Sequence, residues 1–285
     1  MKIGFIDHYL NNYHATKFLN IFRAGQAGPD IEVVAAYESN PEGEDDWCKI
    51  NNVPRANSPA EVVEKSDALI VLAPNNIDRH LELSREAIRS KKPTMLDKAL
   101  CSSISDARQI IASAQEHGTP IMSASSLRFS VELQELIQRV GPGPYEGIFS
   151  RGFGTWRNYA VHSIQPALYL LGGRVKRIID TGQDSNHMIT VENDQGRRAF
   201  IEIRDCENLY EMTPWQVGVL HGKKYEIADV RKFDEFYVNM LTQGVKFFQT
   251  GESPVPLEEM LDEVIVEVTA DNSFKNGGQW IEVQE

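Results

Sequence analysis

ALIVLAPNNIDRHLELSREAIRSKKPTMLDKALCSSISDARQIIASAQEHGTPIM, residues 68–122, decides the fold. Ala68–Leu72 is apolar throughout, as a parallel strand covered on both faces should be. Asp78–Ser90 reads as a helix, and Thr94–Leu96 as a second short strand. Ile104–His117 reads as a helix stopped by Gly118, and Ile121–Ser123 as a third strand. Strands alternating with helices at this spacing build βαβ units and a doubly wound parallel sheet.

Moving toward the N-terminus, the same alternation continues. Lys2–Ile6 and Ile31–Tyr37 read as strands. Tyr13–Arg23 carries Ala15, Phe18, Leu19 and Phe22 at helical spacing. Pro59–Lys65 is a short helix with Ser58 as N-cap. Residues 1–124 therefore form one α/β domain. Residues 125–285 change character. Strand-like runs at Tyr145–Phe153, Val175–Thr181, His187–Glu192, Arg197–Asp205 and Gln216–Leu220 describe a mainly antiparallel sheet. Asp194-Gln195-Gly196 marks a hairpin turn. Helices over Val131–Gln138, His162–Leu171, Phe233–Thr250 and Pro256–Ser273 make this an α+β domain, the last of them a candidate to pack back on the first domain.

Composition narrows the function. The 285 residues include 29 basic and 41 acidic side chains, a net charge of −12. Binding driven by phosphate neutralisation needs the opposite sign, which argues against nucleic acid and anionic membranes as partners. No run reaches the ~18 apolar residues of a membrane span, and the N-terminal apolar run is short for a secretion signal. The three widely spaced cysteines, Cys48, Cys101 and Cys206, suit free thiols in a reducing compartment. The expectation is a cytoplasmic protein.

Ligands of a doubly wound sheet bind outside the carboxyl ends of its strands. Four loops qualify: Asp7–Asn12, Glu38–Glu42, Ala73–Asn76 and Asp97–Leu100. The first normally carries G-x-G-x-x-G, so that backbone can approach a pyrophosphate. Here Asp7, Tyr9 and Asn12 stand where the glycines are expected, and Gly4 lies inside the strand. An ionised Asp7 at ~5 Å from a phosphate would cost roughly 1–3 kcal/mol. Asn11, Asn12, His8 and His14 could supply side-chain donors instead, or Asp7 or Asn11 could simply cap the first helix. Glu38 ends the second strand, where a carboxylate accepts from ribose hydroxyls and repels a 2′-phosphate. A nicotinamide cofactor would then be NAD in preference to NADP. The alternative for Glu38 is a solvated loop carboxylate. His8 and His14 lack a third ligand at fixed spacing, so no metal site is expected.

The run from Ala68 to Met122 resembles the Gfo/Idh/MocA family of nicotinamide-dependent sugar and inositol oxidoreductases. The T-P-N-like turn after strand three corresponds to Ala73-Pro74-Asn75, and the histidine that follows it to His80. The E-K-P position reads Asp97-Lys98-Ala99, and Leu127-Arg128-Phe129 resembles the hinge after strand five. In the second half, Asn158-Tyr159-Ala160-Val161-His162 lines up with D-x-G-x-H, asparagine standing where the family has aspartate. The closing stretch from Thr250 resembles the family's last helix and strand.

The resemblance implies a Rossmann-like first domain, a second domain for substrate and oligomerisation, and a homodimer or homotetramer. It implies that Lys98 and His162 are catalytic, with Asn158 beside His162 on one helix face. Arg128, Arg157 and Tyr159, with Trp156, would line a polar, aromatic substrate pocket. The expected activity is hydride transfer between NAD and a sugar, polyol or related hydroxy compound. The missing glycines and Asn158 support a different class: a non-catalytic ligand-binding or regulatory protein on the same scaffold.

Overall fold

The computed structural model describes residues 1–41, 45–207 and 214–284. Glu42, the last residue of the loop expected after the second strand, lies outside them. The chain divides into two compact units. Met1–Ala124 with Tyr237–Leu257 make the first, and Ser125–Phe236 with Glu258–Glu285 the second. The stretch Tyr237–Leu257 thus belongs with the N-terminal residues, where a division at residue 125 alone puts it with the second domain.

The first unit is a five-stranded parallel sheet. Its strands are β1 (Lys2–Asp7), β2 (Glu32–Glu38), β3 (Ala68–Val71), β4 (Thr94–Leu96) and β5 (Ile121–Ser123), in the order β2-β1-β3-β4-β5. The order reverses between β1 and β3, which is where such sheets take ligands. The helices are α1 (Tyr13–Arg23), α2 (Trp47–Ile50), α3 (Pro59–Lys65), α4 (His80–Leu83), α5 (Arg85–Arg89) and α6 (Ile104–His117). On α1, Ala15, Phe18, Leu19 and Phe22 are buried, each large side chain contributing roughly 1.5–3 kcal/mol. Ser58 and Ser103 cap α3 and α6 through the Glu61 and Asp106 amides. Gly118 ends α6 with φ 67°, a conformation that favours glycine. The helix expected over Asp78–Ser90 is broken: a 3₁₀ turn at Ile77–Arg79 leads into α4, and the chain restarts at Ser84 as α5. The Ser84 and Ile88 amides still bond four residues back, to His80 and Ser84, so the interruption is a local distortion at Ser84.

The second unit holds α7 (Val131–Val140), α8 (Trp156–Tyr159) and α9 (Val161–Leu171), with a seven-stranded sheet. The strands are β6 (Gly147–Phe153), β7 (Val175–Asp180), β8 (Asn186–Asn193), β9 (Arg198–Arg204), β10 (Trp215–His221), β11 (Lys224–Val230) and β12 (Ile281–Glu282). The long helix α10 (Phe233–Thr250) belongs to the first unit from Tyr237 onward, and α11 (Leu257–Lys275) precedes β12 in the second. The strand order is β11-β10-β6-β9-β8-β7-β12, with β6–β9 parallel and the other pairs antiparallel. Strand β9 alternates strictly, with Ala199, Ile201 and Ile203 buried and Phe200 and Glu202 exposed. Helix α9 covers the buried face at β6 and β9. The opposite face carries an apolar row in register: Ile227, Gly218, Phe149 and Phe200.

Candidate active site

At the carboxyl ends of the first sheet, the loop residues bond to one another. Asp7 ends β1 with its side chain turned inward and fully buried. Its Oδ1 accepts the Ala73 amide at 2.9 Å and its Oδ2 the Asn12 amide group at 2.9 Å. Asn12, not Asp7 or Asn11, caps α1: its Oδ1 accepts the Ala15 N–H at 3.0 Å. The fixed charge expected at Asp7 is also corrected. Burial pushes its carboxyl up to about 8, although Asn12 and the Ala73 and His8 amides pull the other way. At neutral pH the group is mostly protonated and turned away from solvent.

The carboxylate that follows β4 behaves oppositely. Burial alone would raise Asp97, but His14 Nδ1 at 2.5 Å and the adjacent Lys98 outweigh it and hold the carboxyl at about 2. Asp97 Oδ1 accepts the Lys98 amide at 2.8 Å. The ring of His14 stacks on Phe18, and Tyr237 of α10 brings its hydroxyl to 3.4 Å from His14 Nε2. Lys98 is only 6 % exposed, and its ammonium donates to the Pro74 carbonyl at 3.3 Å. One cluster therefore contains Asp97, Lys98, His14 and the Ala73-Pro74 turn, with Asn75 exposed beside it.

His80 lies outside that role. Its nitrogens sit 2.9 Å from the Leu100 carbonyl and 2.6 Å from the Leu72 carbonyl, and the side chain is fully buried. It ties the loops after β3 and β4 together rather than facing a ligand, and burial pushes its ring toward the neutral form.

Glu38 is not a solvated loop carboxylate. Its side chain is 5 % exposed, and its oxygens accept the Leu10 N–H at 2.8 Å and the Arg55 guanidinium at 2.6 Å. Tyr9 is half-buried, Asn11 exposed, and His8 Nδ1 lies 3.0 Å from the Ser39 hydroxyl.

These residues bear on whether a dinucleotide fits. The switch point between β1 and β3 and the N-terminus of α1 are in place, and the Asp7 charge that would repel a pyrophosphate is withdrawn. The glycine cradle is absent, and Glu38 has partners that ribose hydroxyls would exchange for. Of these residues, Glu38 and the N-terminus of α1 are the groups available to a dinucleotide's ribose and phosphates.

In the second unit, His162 at the start of α9 is nearly buried, its Nδ1 2.8 Å from the Ser125 hydroxyl. Tyr159 and Trp215 meet its ring edge-on at 5.5 and 5.9 Å. Asn158 lies one turn earlier, on α8. Its Oδ1, with Ser163 Oγ and Trp215 Nε1, has no hydrogen-bond partner among the described residues. Arg157 is exposed. Arg128 is buried, ion-paired to Glu259 and stacked over Tyr169 at 4.0 Å, so its guanidinium already has two partners in its own unit. Trp156 stacks on His187 at 3.9 Å, and His187 pairs with Asp180. Sequence reasoning missed Ser125, Gln165 and Arg55, which carry no local motif. Among the described residues no three of His, Cys, Asp and Glu are grouped to hold a metal, and the three cysteines form no disulfide with one another.

Residues 4–125 match the model of an oxidoreductase family with an NAD-binding Rossmann fold. Solved structures resemble the whole chain. A probable dehydrogenase from Thermotoga maritima has 16% identity and a TM-score of 0.83, over 99% of this chain and 98% of that one. A myo-inositol dehydrogenase from Corynebacterium glutamicum ATCC 13032 has 14% and 0.82, over 100% and 99%. The Lactobacillus casei myo-inositol dehydrogenase, crystallised with NAD(H) and myo-inositol, has 12% and 0.81, over 100% and 97%. At these identities the likeness is one of fold. No curated protein matches the sequence.

Proposed function

We propose, from the match of residues 4–125 to an oxidoreductase family with an NAD-binding Rossmann fold, that the chain is an NAD-dependent dehydrogenase acting on a CH–OH group of a sugar, polyol or related small compound. The observation that carries this reading is Lys98. It is a nearly buried ammonium at the carboxyl end of β4, fixed through its own amide to the ionised Asp97. Oxidising an alcohol requires a group that orients the hydroxyl and takes its proton, and a desolvated lysine can do both. NAD, when bound, supplies the hydride acceptor. His162 and Asn158 supply polar contacts to the substrate oxygens. Asn158 Oδ1, Ser163 Oγ and Trp215 Nε1, without partners among the described residues, offer the mix of acceptors and donors that a hydroxylated ligand satisfies. Glu38 favours NAD over NADP, since its carboxylate would face a 2′-phosphate.

The row of Ile227, Phe149 and Phe200 on the open sheet face supports self-association as a homodimer or homotetramer. We read the protein as cytoplasmic on its free cysteines; no helix among the described residues is long and apolar enough to cross a membrane.

The second reading, a ligand-binding or regulatory protein without turnover, is favoured by one observation. Glu38 is held by Arg55 and Leu10 in the protein's own contacts. A calorimetric titration of nucleotide-free protein with NADH and NADPH separates the two. Micromolar NADH binding, with turnover in a polyol and sugar screen that Lys98→Ala abolishes, is the expected result. No binding of either nucleotide up to millimolar concentration sinks the dehydrogenase reading.

A further inference from the structure

We propose that Ser125 sets the tautomer of His162, so that the neutral imidazole carries its proton at Nε2 and Nδ1 is held as an acceptor. This rests on the reading of His162 as a substrate-contacting residue.

The protons available at Ser125 decide the tautomer. A serine hydroxyl has one proton and two lone pairs. The Leu127 N–H, which can only donate, takes one lone pair of Ser125 Oγ at 3.2 Å. The remaining contact of that oxygen among the described residues is His162 Nδ1 at 2.8 Å. Were Nδ1 protonated, it would take the second lone pair, and the hydroxyl proton would have no acceptor in a fully buried site. The hydroxyl therefore donates to Nδ1. In the neutral ring the proton is then on Nε2.

Ser125 is itself held in place. Its amide donates to Gln165 Oε1 at 2.6 Å, and Gln165 Nε2 donates to Glu263 Oε2 at 2.6 Å. A backbone N–H at one end and a carboxylate at the other leave the Gln165 amide a single orientation. All three residues are buried. The chain runs from α11 through α9 to the residue that opens the second unit, and the edges of Tyr159 and Trp215 keep the ring from turning.

The consequence concerns which group moves the proton. A neutral imidazole that gave up its Nε2 proton while Nδ1 accepts from a serine would be left as an anion. In this tautomer Nε2 is a hydrogen-bond donor and does not take up a proton.

The test is long-range ¹H–¹⁵N correlation of the whole chain labelled with ¹⁵N-histidine, free of nucleotide, between pH 6 and 8. The His162 signals are assigned by their loss in His162→Gln. The expected wild-type pattern is a protonated Nε2 with an unprotonated, hydrogen-bonded Nδ1. Ser125→Ala loses the hydrogen-bond shift at Nδ1, and Ser125→Thr keeps it. Ser125→Ala deletes only the hydroxyl and leaves the amide bond to Gln165, so unchanged far-UV dichroism is expected alongside. A protonated Nδ1 in the wild type, or an Nδ1 signal unmoved in Ser125→Ala, overturns the proposal. Because no nucleotide is present, failure of NADH to bind would count against the dehydrogenase reading and leave the tautomer assignment standing.

Discussion

Replacing Asp7 by asparagine should change how stability depends on pH more than it changes stability itself. In the folded protein the Asp7 carboxyl titrates at about 8, against an ordinary value of 3.8, because burial outweighs its N–H donors. Between those values the unfolded chain carries an ionised Asp7 while the folded chain keeps the proton. The folded state thus binds more protons, and stability falls as pH rises. Below 3.8 and above about 8 the contribution is flat. Each tenfold difference in proton affinity is worth ~1.4 kcal/mol, so pH 5 to 8 spans about 4 kcal/mol as a ceiling. Relaxation around the buried group lowers this to roughly 2–4 kcal/mol. Asp7→Asn keeps an oxygen for the Ala73 amide, and its amide facing Asn12 imposes a cost that does not vary with pH. Urea denaturation of both proteins at pH 5, 6, 7, 8 and 9, followed by far-UV dichroism, should show curves that diverge steadily up to pH 8. Parallel curves would mean that Asp7 is ionised in the folded protein, and the withdrawal of its charge from a bound pyrophosphate would fall with it.

Two further changes probe other parts of the structure. Gly152→Ala would place a Cβ 2.3 Å from Ser163 Oγ and 2.4 Å from Trp215 Cδ1, beside His162; we expect a loss of about 1–3 kcal/mol, read as a lower thermal midpoint. Glu38→Gln removes the negative charge that pairs with Arg55; calorimetry should show the ratio of NADH to NADPH affinity falling about tenfold, and an unchanged ratio would remove Glu38 from cofactor choice.

Different parts of this molecule were legible in the sequence to different degrees, for physical reasons that individual residues make plain. The parallel sheet was readable because its strands are short apolar runs between caps, and buried parallel strands require that composition. The interruption at Ser84 was not, since a serine in mid-helix is common and the distortion there is local. Strand β11 also escaped, because Lys-Tyr-Glu-Ile-Ala-Asp-Val at a sheet edge buries too few side chains to leave an apolar pattern. The site was least legible where partners are distant in sequence. Asp7 meets Ala73 across 66 residues, His14 meets Asp97 across 83, and Gln165 meets Glu263 across 98. Two aspartates, each closing a strand of the same sheet, look alike in sequence. One is raised to about 8 because burial and the nearby Asp97 charge outweigh its N–H donors, and the other is held at about 2 because an imidazole and a lysine stand beside it and outweigh its burial. Sequence periodicity encodes which face of an element is buried, but the protonation state of a buried carboxyl depends on which charges the fold brings to it. That is why the loop after β1 read as hostile to a phosphate while its folded form withdraws the charge.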